Sequence, residues 1–258
     1  MATGLHWDMT FEHLPIRRID VDAPSRWLGN GWNDFKAAPR TALAHGGAFV
    51  LVSYFIVLSL NALGLGSLVP AVAAGFFLVA PILAVGLYDV SRRLEAGQVA
   101  TFEDTVLAFL RNVPGLATMG LVLMLCMAVW MQVALLVFML FFHATPPALD
   151  HFLYGILTAP QAVPFVIVGT LVGAVIAAAG FAISAISIPL LLDRDVPVLV
   201  AISTSVAAVT ENWRVMIGWA ATIVVLVGFG IVTGFIGLAV TLPLVGFGTW
   251  HAYRELVG

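Results

Sequence analysis

Two histidines eight residues apart, His143 and His151, bracket Asp150, and Met131 and Met139 stand in the apolar run before them. Imidazole and thioether groups are copper ligands. Compact metal motifs place their ligands about three to five residues apart on a helix face or across a short turn. A spacing of eight does neither, so loop polarity accounts for these residues and no metal is assigned. His45 and His251 fall at the ends of apolar runs, where an imidazole reaches lipid headgroups; a pairing between them is the alternative. The apolar runs contain no His-Glu-x-x-His, no Ser/His/Asp set and no paired carboxylates. The expectation is therefore a protein without catalytic residues or cofactor, and not an enzyme.

The remaining polar candidates are charges at the ends of the apolar runs. Asp89, Arg92, Arg93 and Glu95 form one group, Asp193-Arg194-Asp195 a second, and Arg254 with Glu255 a third. If these ends meet, they form an ion-pair network with Arg111 and Arg214. Arg92, Arg93, Arg194 and Arg254, together with Trp32, are the candidate contacts to anionic headgroups or to a partner. A solvated rim that only sets topology is the plainer account. Within the runs the most polar residue is Gln132, the candidate for lining a cavity or making one interhelical hydrogen bond. No ionisable residue lies near the middle of a run, which argues against a proton-coupled carrier.

These residues must be positioned by membrane helices. Hydrophobic residues make up 61% of the 258 and charged ones 10%, at a mean hydropathy of +1.06, well outside the composition of a soluble domain. A net charge of −3 with scattered basic residues gives no footing for nucleic acid. The single Cys126 excludes an internal disulfide. Runs of about 20 apolar residues cross a bilayer, and Ala44–Leu63, Leu68–Val90, Gly115–Phe142 and Pro164–Leu192 qualify. The stretch from Val215 to His251 is too long for one span. All eleven Lys and Arg can be placed on one side, with none in the tips Asn61–Ser67, His143–Val163 and Thr233–Gly237. Keeping Arg254 on that side requires a tight turn near Thr233-Gly234. The reading is all-α, with six spans as three hairpins and both termini cytoplasmic. A re-entrant final pair is the competing possibility.

A short amphipathic segment precedes each hairpin. Its stripes are Leu28, Trp32, Phe35, Pro39; Phe102, Val106, Phe109, Val113; and Leu199, Ile202, Val206, Val209, Trp213. Such stripes mark helices lying in the interface, and Thr101 and Asp195 are suitable N-caps for the second and third. Pro81, Pro189 and Pro243 recur in the second helix of each hairpin. Tyr88 and Arg92 follow the first at the offsets at which Trp250 and Arg254 follow the last. Residues 1–24 read as a cytoplasmic tail and 25–258 as one membrane domain, in repeats of about 25–97, 98–195 and 196–258. Small-residue stripes (Gly169, Gly173, Ala177; Gly180, Ser184; Gly218, Gly228, Gly230, Gly234) predict close helix packing within the bundle.

Several motifs carry a family resemblance. They are Ile16-Arg17-Arg18-Ile19, Gly31-Trp32-Asn33-Asp34-Phe35 with Pro39, Gly75–Pro81, and Gly86-Leu87-Tyr88-Asp89-Val90-Ser91-Arg92-Arg93-Leu94-Glu95-Ala96-Gly97. The chain resembles the bacterial predicted integral membrane protein family known as domain of unknown function 2189. The resemblance implies a six-span inner-membrane protein and carries over no catalytic residue. The label "cytochrome c oxidase subunit I-like", borne by some relatives, implies histidines buried in the spans to ligate haem and copper. Every histidine here falls in a tail, a loop or a helix end, so an accessory role beside a respiratory complex is all that label leaves. The expected function is a non-enzymatic scaffold, assembly or lipid-interacting protein whose partners are membrane lipids and another membrane complex. A transporter or lipid-handling protein with an apolar cavity between repeats is the alternative.

Overall fold

The computed structural model describes residues 13–143 and 152–258. Its described regular elements are helices. The chain runs through α1 (Ala23–Ala37), α2 (Pro39–Ala62), α3 (Val69–Leu83), α4 (Val85–Glu95), α5 (Phe102–Leu107), α6 (Val113–Phe142), α7 (Phe152–Thr158), α8 (Ala162–Ser184), α9 (Ser187–Asp193), α10 (Val198–Glu211), α11 (Trp213–Val232) and α12 (Leu238–Leu256). Among the described residues, five stretches are long and apolar enough to cross a membrane: Pro39–Ala62, Gly66–Glu95, Phe102–Phe142, Ala162–Asp193 and Trp213–Val232. α12 is of comparable length but more polar, and it is the most enclosed of the long helices.

Proline chemistry shapes the second and fourth stretches. A proline lacks the N–H that would bond the carbonyl four residues back, so it loosens the turn before it. Pro81 lies inside α3, which ends at Leu83 and restarts as α4 one residue later. Helix α8 gives way to α9 ahead of Pro189. There the Ser205 hydroxyl of α10 accepts the Ile186 N–H at 3.1 Å. In α12 the helix runs on through Pro243. The carbonyl that Pro243 leaves free is that of Ala239, and Gly46 of α2 packs its bare Cα against it.

The core collects at one end of the molecule, here called the base. Val85–Ser91 of α4 and Ser187–Leu192 of α9 are buried without interruption, as is most of Gly246–Tyr253 in α12. These three segments pack against one another. The three amphipathic helices lie round them, α1 against α12, α5 against α4, and α10 against α8 and α9. Away from the base the long helices form two groups. In one, Trp130 of α6 lies over Gly75 and Gly173 and donates to the Ala71 carbonyl at 2.9 Å, joining α3, α6 and α8. In the other, α12 packs between α2 and α11. The first expected hairpin is thus split, with α2 beside α12 and α3 beside α6.

The turn predicted near Thr233-Gly234 is present. Gly234 (φ 66°) and Phe235 (φ 67°) take left-handed conformations. That conformation is unfavourable for phenylalanine; its ring is held edge-on to Tyr54 at 5.9 Å, and the Tyr54 hydroxyl donates to the Gly234 carbonyl at 2.7 Å. Of the small-residue stripes, Gly173 faces Trp130 and Gly180 faces Leu78, whereas Gly169 and Gly228 face open space.

One local expectation, an N-cap, needs correction, and two segments show contacts the sequence did not announce. Helix α1 docks on the protein through Ala23, Trp27, Gly31 and Phe35, which leaves Trp32 of the expected interfacial stripe outward. Trp32 is 46% exposed. The reason is close backbone approach: a Cβ on Gly31 would stand 2.9 Å from the Gly248 nitrogen and 3.0 Å from the Leu244 oxygen. Asp195 caps nothing, since α10 starts one residue after Pro197, whose extended backbone (φ −58°, ψ 142°) serves as N-cap. Thr101 does cap α5, within a capping box closed by Asp104. Within the expected tail, residues 13–20 are bonded to the base. Arg17 donates its N–H to the Leu256 carbonyl at 2.9 Å. The Leu14 and Ile19 N–H groups bond Thr204 and Asn212 at 3.0 and 3.1 Å.

The Gly31 contact makes a direct prediction. Gly31→Ala pushes α1 off α12 and lowers stability by about 1–3 kcal/mol, the usual cost of overpacking. Gly29→Ala, on the open side of the same helix, leaves stability unchanged or raises it by about 0.5–1 kcal/mol. Thermal unfolding of both variants in one detergent distinguishes these outcomes.

Candidate functional site

The base brings the charged ends of three helices together. Arg254 at the end of α12 lies 3.3 Å from Glu95 of α4 and 3.7 Å from Asp193 of α9. The Tyr253 hydroxyl donates to the same Asp193 carboxylate at 2.7 Å. Arg254 is 40% exposed on its side chain, so these ion pairs are screened and individually weak.

The strongest electrostatic feature is on α4. Asp89 is fully buried, and Arg92 and Arg93 reach its two carboxylate oxygens at 2.6 and 2.7 Å. Both arginines sit one helical turn on, where side chains three and four residues apart meet. Arg93 also reaches Asp104 of α5 at 3.0 Å, tying the second amphipathic helix to the base. Arg92 and Arg93 therefore spend their charge inside the protein.

A second polar centre joins α1, α4 and α12. Asp34 Oδ2 accepts from the Ser91 hydroxyl at 2.6 Å and from His251 Nε2 at 2.8 Å. Two turns back on α1, the fully buried Trp27 donates its indole N–H to Glu255 at 2.7 Å, and Arg26 pairs with the same carboxylate at 2.6 Å. The Glu255 carboxylate holds the Arg26 guanidinium above its ordinary range. Trp27 also meets Trp219 of α11 edge to face at 5.5 Å. Glu255 stood among the rim charges, whereas Asp34, Ser91 and Trp27 were not among the candidates. The signal that could have found Asp34 is its place four residues from Asn30 on the polar side of an otherwise buried-faced helix.

The other candidates are placed as follows. Arg194 donates to the Val257 carbonyl at 3.3 Å. Trp32 stacks on Phe35 at 5.3 Å. The Arg214 guanidinium lies over the Trp213 ring at 5.2 Å rather than in the network. Gln132 is exposed on α6. His45 approaches the Leu83 carbonyl at 3.4 Å and the Phe49 and Phe102 rings, so its neighbours are not those of His251. His143 is exposed at the end of α6; Asp150 and His151 lie outside the described residues. Among the described residues no group of three His, Cys, Asp or Glu side chains is arranged to hold a metal ion.

Two cavities accompany this frame. A gap of about 60 Å³ lies between α2, α3 and the α11–α12 turn, lined by apolar side chains and Ser53. A larger groove of about 860 Å³ opens at the base between the start of α6 and the α9–α10 connection. Residues 68–193, just under half of the chain, match the family described as Predicted integral membrane protein (DUF2189). The matched segment covers α3 to α9, and with them Asp89, Arg92, Arg93 and the Leu110–Thr118 wall of the groove, whereas Arg194 to Val198 of the other wall lie beyond it. The Ile16–Ile19 and Gly31–Phe35 motifs lie outside it. No curated protein and no solved structure matches the chain.

The buried carboxylate gives the second prediction. Asp89→Ala leaves Arg92 and Arg93 partly buried without their shared partner and destabilises the protein by about 3 kcal/mol. Arg254→Gln, at the exposed rim, costs less than about 1 kcal/mol. Thermal unfolding in detergent ranks the two, and equal losses would contradict the assignment of Asp89 as the anchor of the base.

Proposed function

We propose that this chain is a non-enzymatic scaffold of the bacterial inner membrane, six-spanning, with its base and both termini on the cytoplasmic side. The observation that carries this reading is the base itself. Its central segments are tightly packed, and the charges of Asp89, Arg92, Arg93, Glu95, Asp193 and Arg254 are engaged with one another. Such a body is built to hold a shape. The placement of every Lys and Arg in base elements supports the cytoplasmic assignment.

The six-span reading makes α12 the last span despite its polarity. An enclosed helix need not be apolar all round, because neighbouring helices and not lipid receive its side chains. The cyclic packing, with each amphipathic helix seated on the second helix of the preceding hairpin and α1 seated on the last, supports three repeats. The large side chains Phe102, Val106, Leu199 and Trp213 point outward from α5, α10 and the start of α11. That is where helices lying in a lipid interface present their apolar faces.

The alternative of a lipid-handling protein has one specific support, the apolar gap between the two helix groups. At about 60 Å³ it falls well short of the roughly 300–1,000 Å³ of a ligand pocket, and Gln132 does not line it.

Two experiments test the proposal. In a Cys126→Ser background, cysteines at Asn61 and Val232 react with a membrane-impermeant maleimide added outside intact cells, and one at Arg18 does not. Protection of Val232 would overturn the six-span arrangement. Affinity purification in mild detergent is expected to recover a stoichiometric membrane partner. Recovery of none, with substrate flux across reconstituted vesicles, would replace the scaffold with a transporter.

A further inference from the structure

The groove at the base carries one unengaged charge of each sign. Arg111, just before α6, and Asp195, in the α9–α10 connection, both line the groove. Both are exposed, and neither side chain makes a hydrogen bond or ion pair with any described residue. They do not pair with each other either, although opposite charges in contact would do so. Arg194 stands in the same wall, fixed by its bond to the Val257 carbonyl. Beside these groups the rim is apolar: Leu110 is 68% exposed and Val113 is 50% exposed.

We propose that this groove binds the headgroup of a phosphoethanolamine lipid, with the phosphate at Arg111 and the ammonium at Asp195. The chemistry selects among lipids. A guanidinium presents N–H donors that match phosphate oxygens. A primary ammonium donates hydrogen bonds to a carboxylate, which a choline trimethylammonium has no N–H to do. A glycerol headgroup brings no cation to Asp195, leaving that carboxylate next to an anionic lipid. The volume of about 860 Å³ admits a headgroup with its glycerol, and the apolar rim at Leu110 and Val113 receives the start of the acyl chains. The site rests on the reading of the base as the headgroup level, and not on the scaffold role.

Native mass spectrometry of the purified full chain, titrated with dioleoyl lipids carrying ethanolamine, glycerol or choline headgroups, provides the test. The ethanolamine lipid is expected to be retained at least fivefold better than the other two. Arg111→Gln should cut its retention about tenfold, the loss of one charge-assisted contact of about 1.4 kcal/mol. Asp195→Asn should narrow the preference over the glycerol lipid. Lys36→Gln, an exposed cation elsewhere on the base, should change nothing, and thermal unfolding should be the same for all three variants. Equal retention of the three lipids, or undiminished ethanolamine-lipid retention by Arg111→Gln, overturns the proposal. An equal loss in Lys36→Gln reduces the effect to general charge, and displacement by excess inorganic phosphate or soluble phosphoethanolamine reduces it to a simple ion site. Either result also overturns it. Because retention is read in detergent without a partner, its failure is distinguishable from failure of the scaffold reading.

Discussion

The approach of three backbones at α12 sets the terms for the rest of the molecule. Helix α1 crosses α12 at Gly31 and Gly248, and α2 crosses it where Gly46 meets the Ala239 carbonyl. Side chains could not be inserted at these points without moving backbone, so the crossings fix the distance between helices. That distance decides which groups on α12 find partners. Thr249, Trp250, His251, Tyr253, Arg254 and Glu255 crowd its last two turns, and a helix so polar would be costly in hydrocarbon alone. Seated between α1, α2, α4 and α9, it has Asp34, Glu95, Asp193, Arg26 and Trp27 within reach.

Burial then dictates the electrostatics. A desolvated carboxylate such as Asp89 is tolerable only when paired and hydrogen-bonded. Two arginines from its own helix meet that need without any tertiary contact. Asp34 is satisfied differently, by a hydroxyl and an imidazole from two other helices. The first arrangement stabilises α4 locally, whereas the second specifies how three helices come together. The same logic explains why most of the rim is unsuited to docking. Charges already engaged with internal partners have little left for a ligand, whereas Arg111 and Asp195 line a groove with their charges unengaged.

Away from the base the physics changes. Lipid gives no hydrophobic reason for apolar helices to associate, so packing relies on shape and on occasional hydrogen bonds. Trp130 supplies both, filling the space over Gly75 and Gly173 and bonding the Ala71 carbonyl. Helices α2, α6 and α8 leave most of their apolar surface outward. The molecule is thus firm at one end and loosely joined at the other, with the small gap between helix groups where the joining is weakest.

Much of this was legible in the sequence, and the limit is instructive. Hydropathy located four spanning runs and the long stretch from Val215, and α6 ends at Phe142 as the apolar run does. The charge asymmetry called for a turn at Thr233-Gly234, where the left-handed residues lie, and Thr101 announced its helix by capping chemistry. These properties are local: they depend on residues within a turn or two, or on the sign of charge near a membrane surface. Which face of α1 turns inward was not local. Trp32 and Trp27 are equally apolar, and only Gly248, more than two hundred residues away, selects Trp27 by admitting Gly31. The split of the first hairpin, the Asp34–Ser91–His251 centre and the strapping of residues 13–20 onto the base have the same origin. The sequence by itself determined where helices begin, end and meet the membrane, because hydration and hydrogen bonding act along the chain. Only the tertiary structure decided which helices touch and which charges remain free, because that depends on how closely distant backbones can approach.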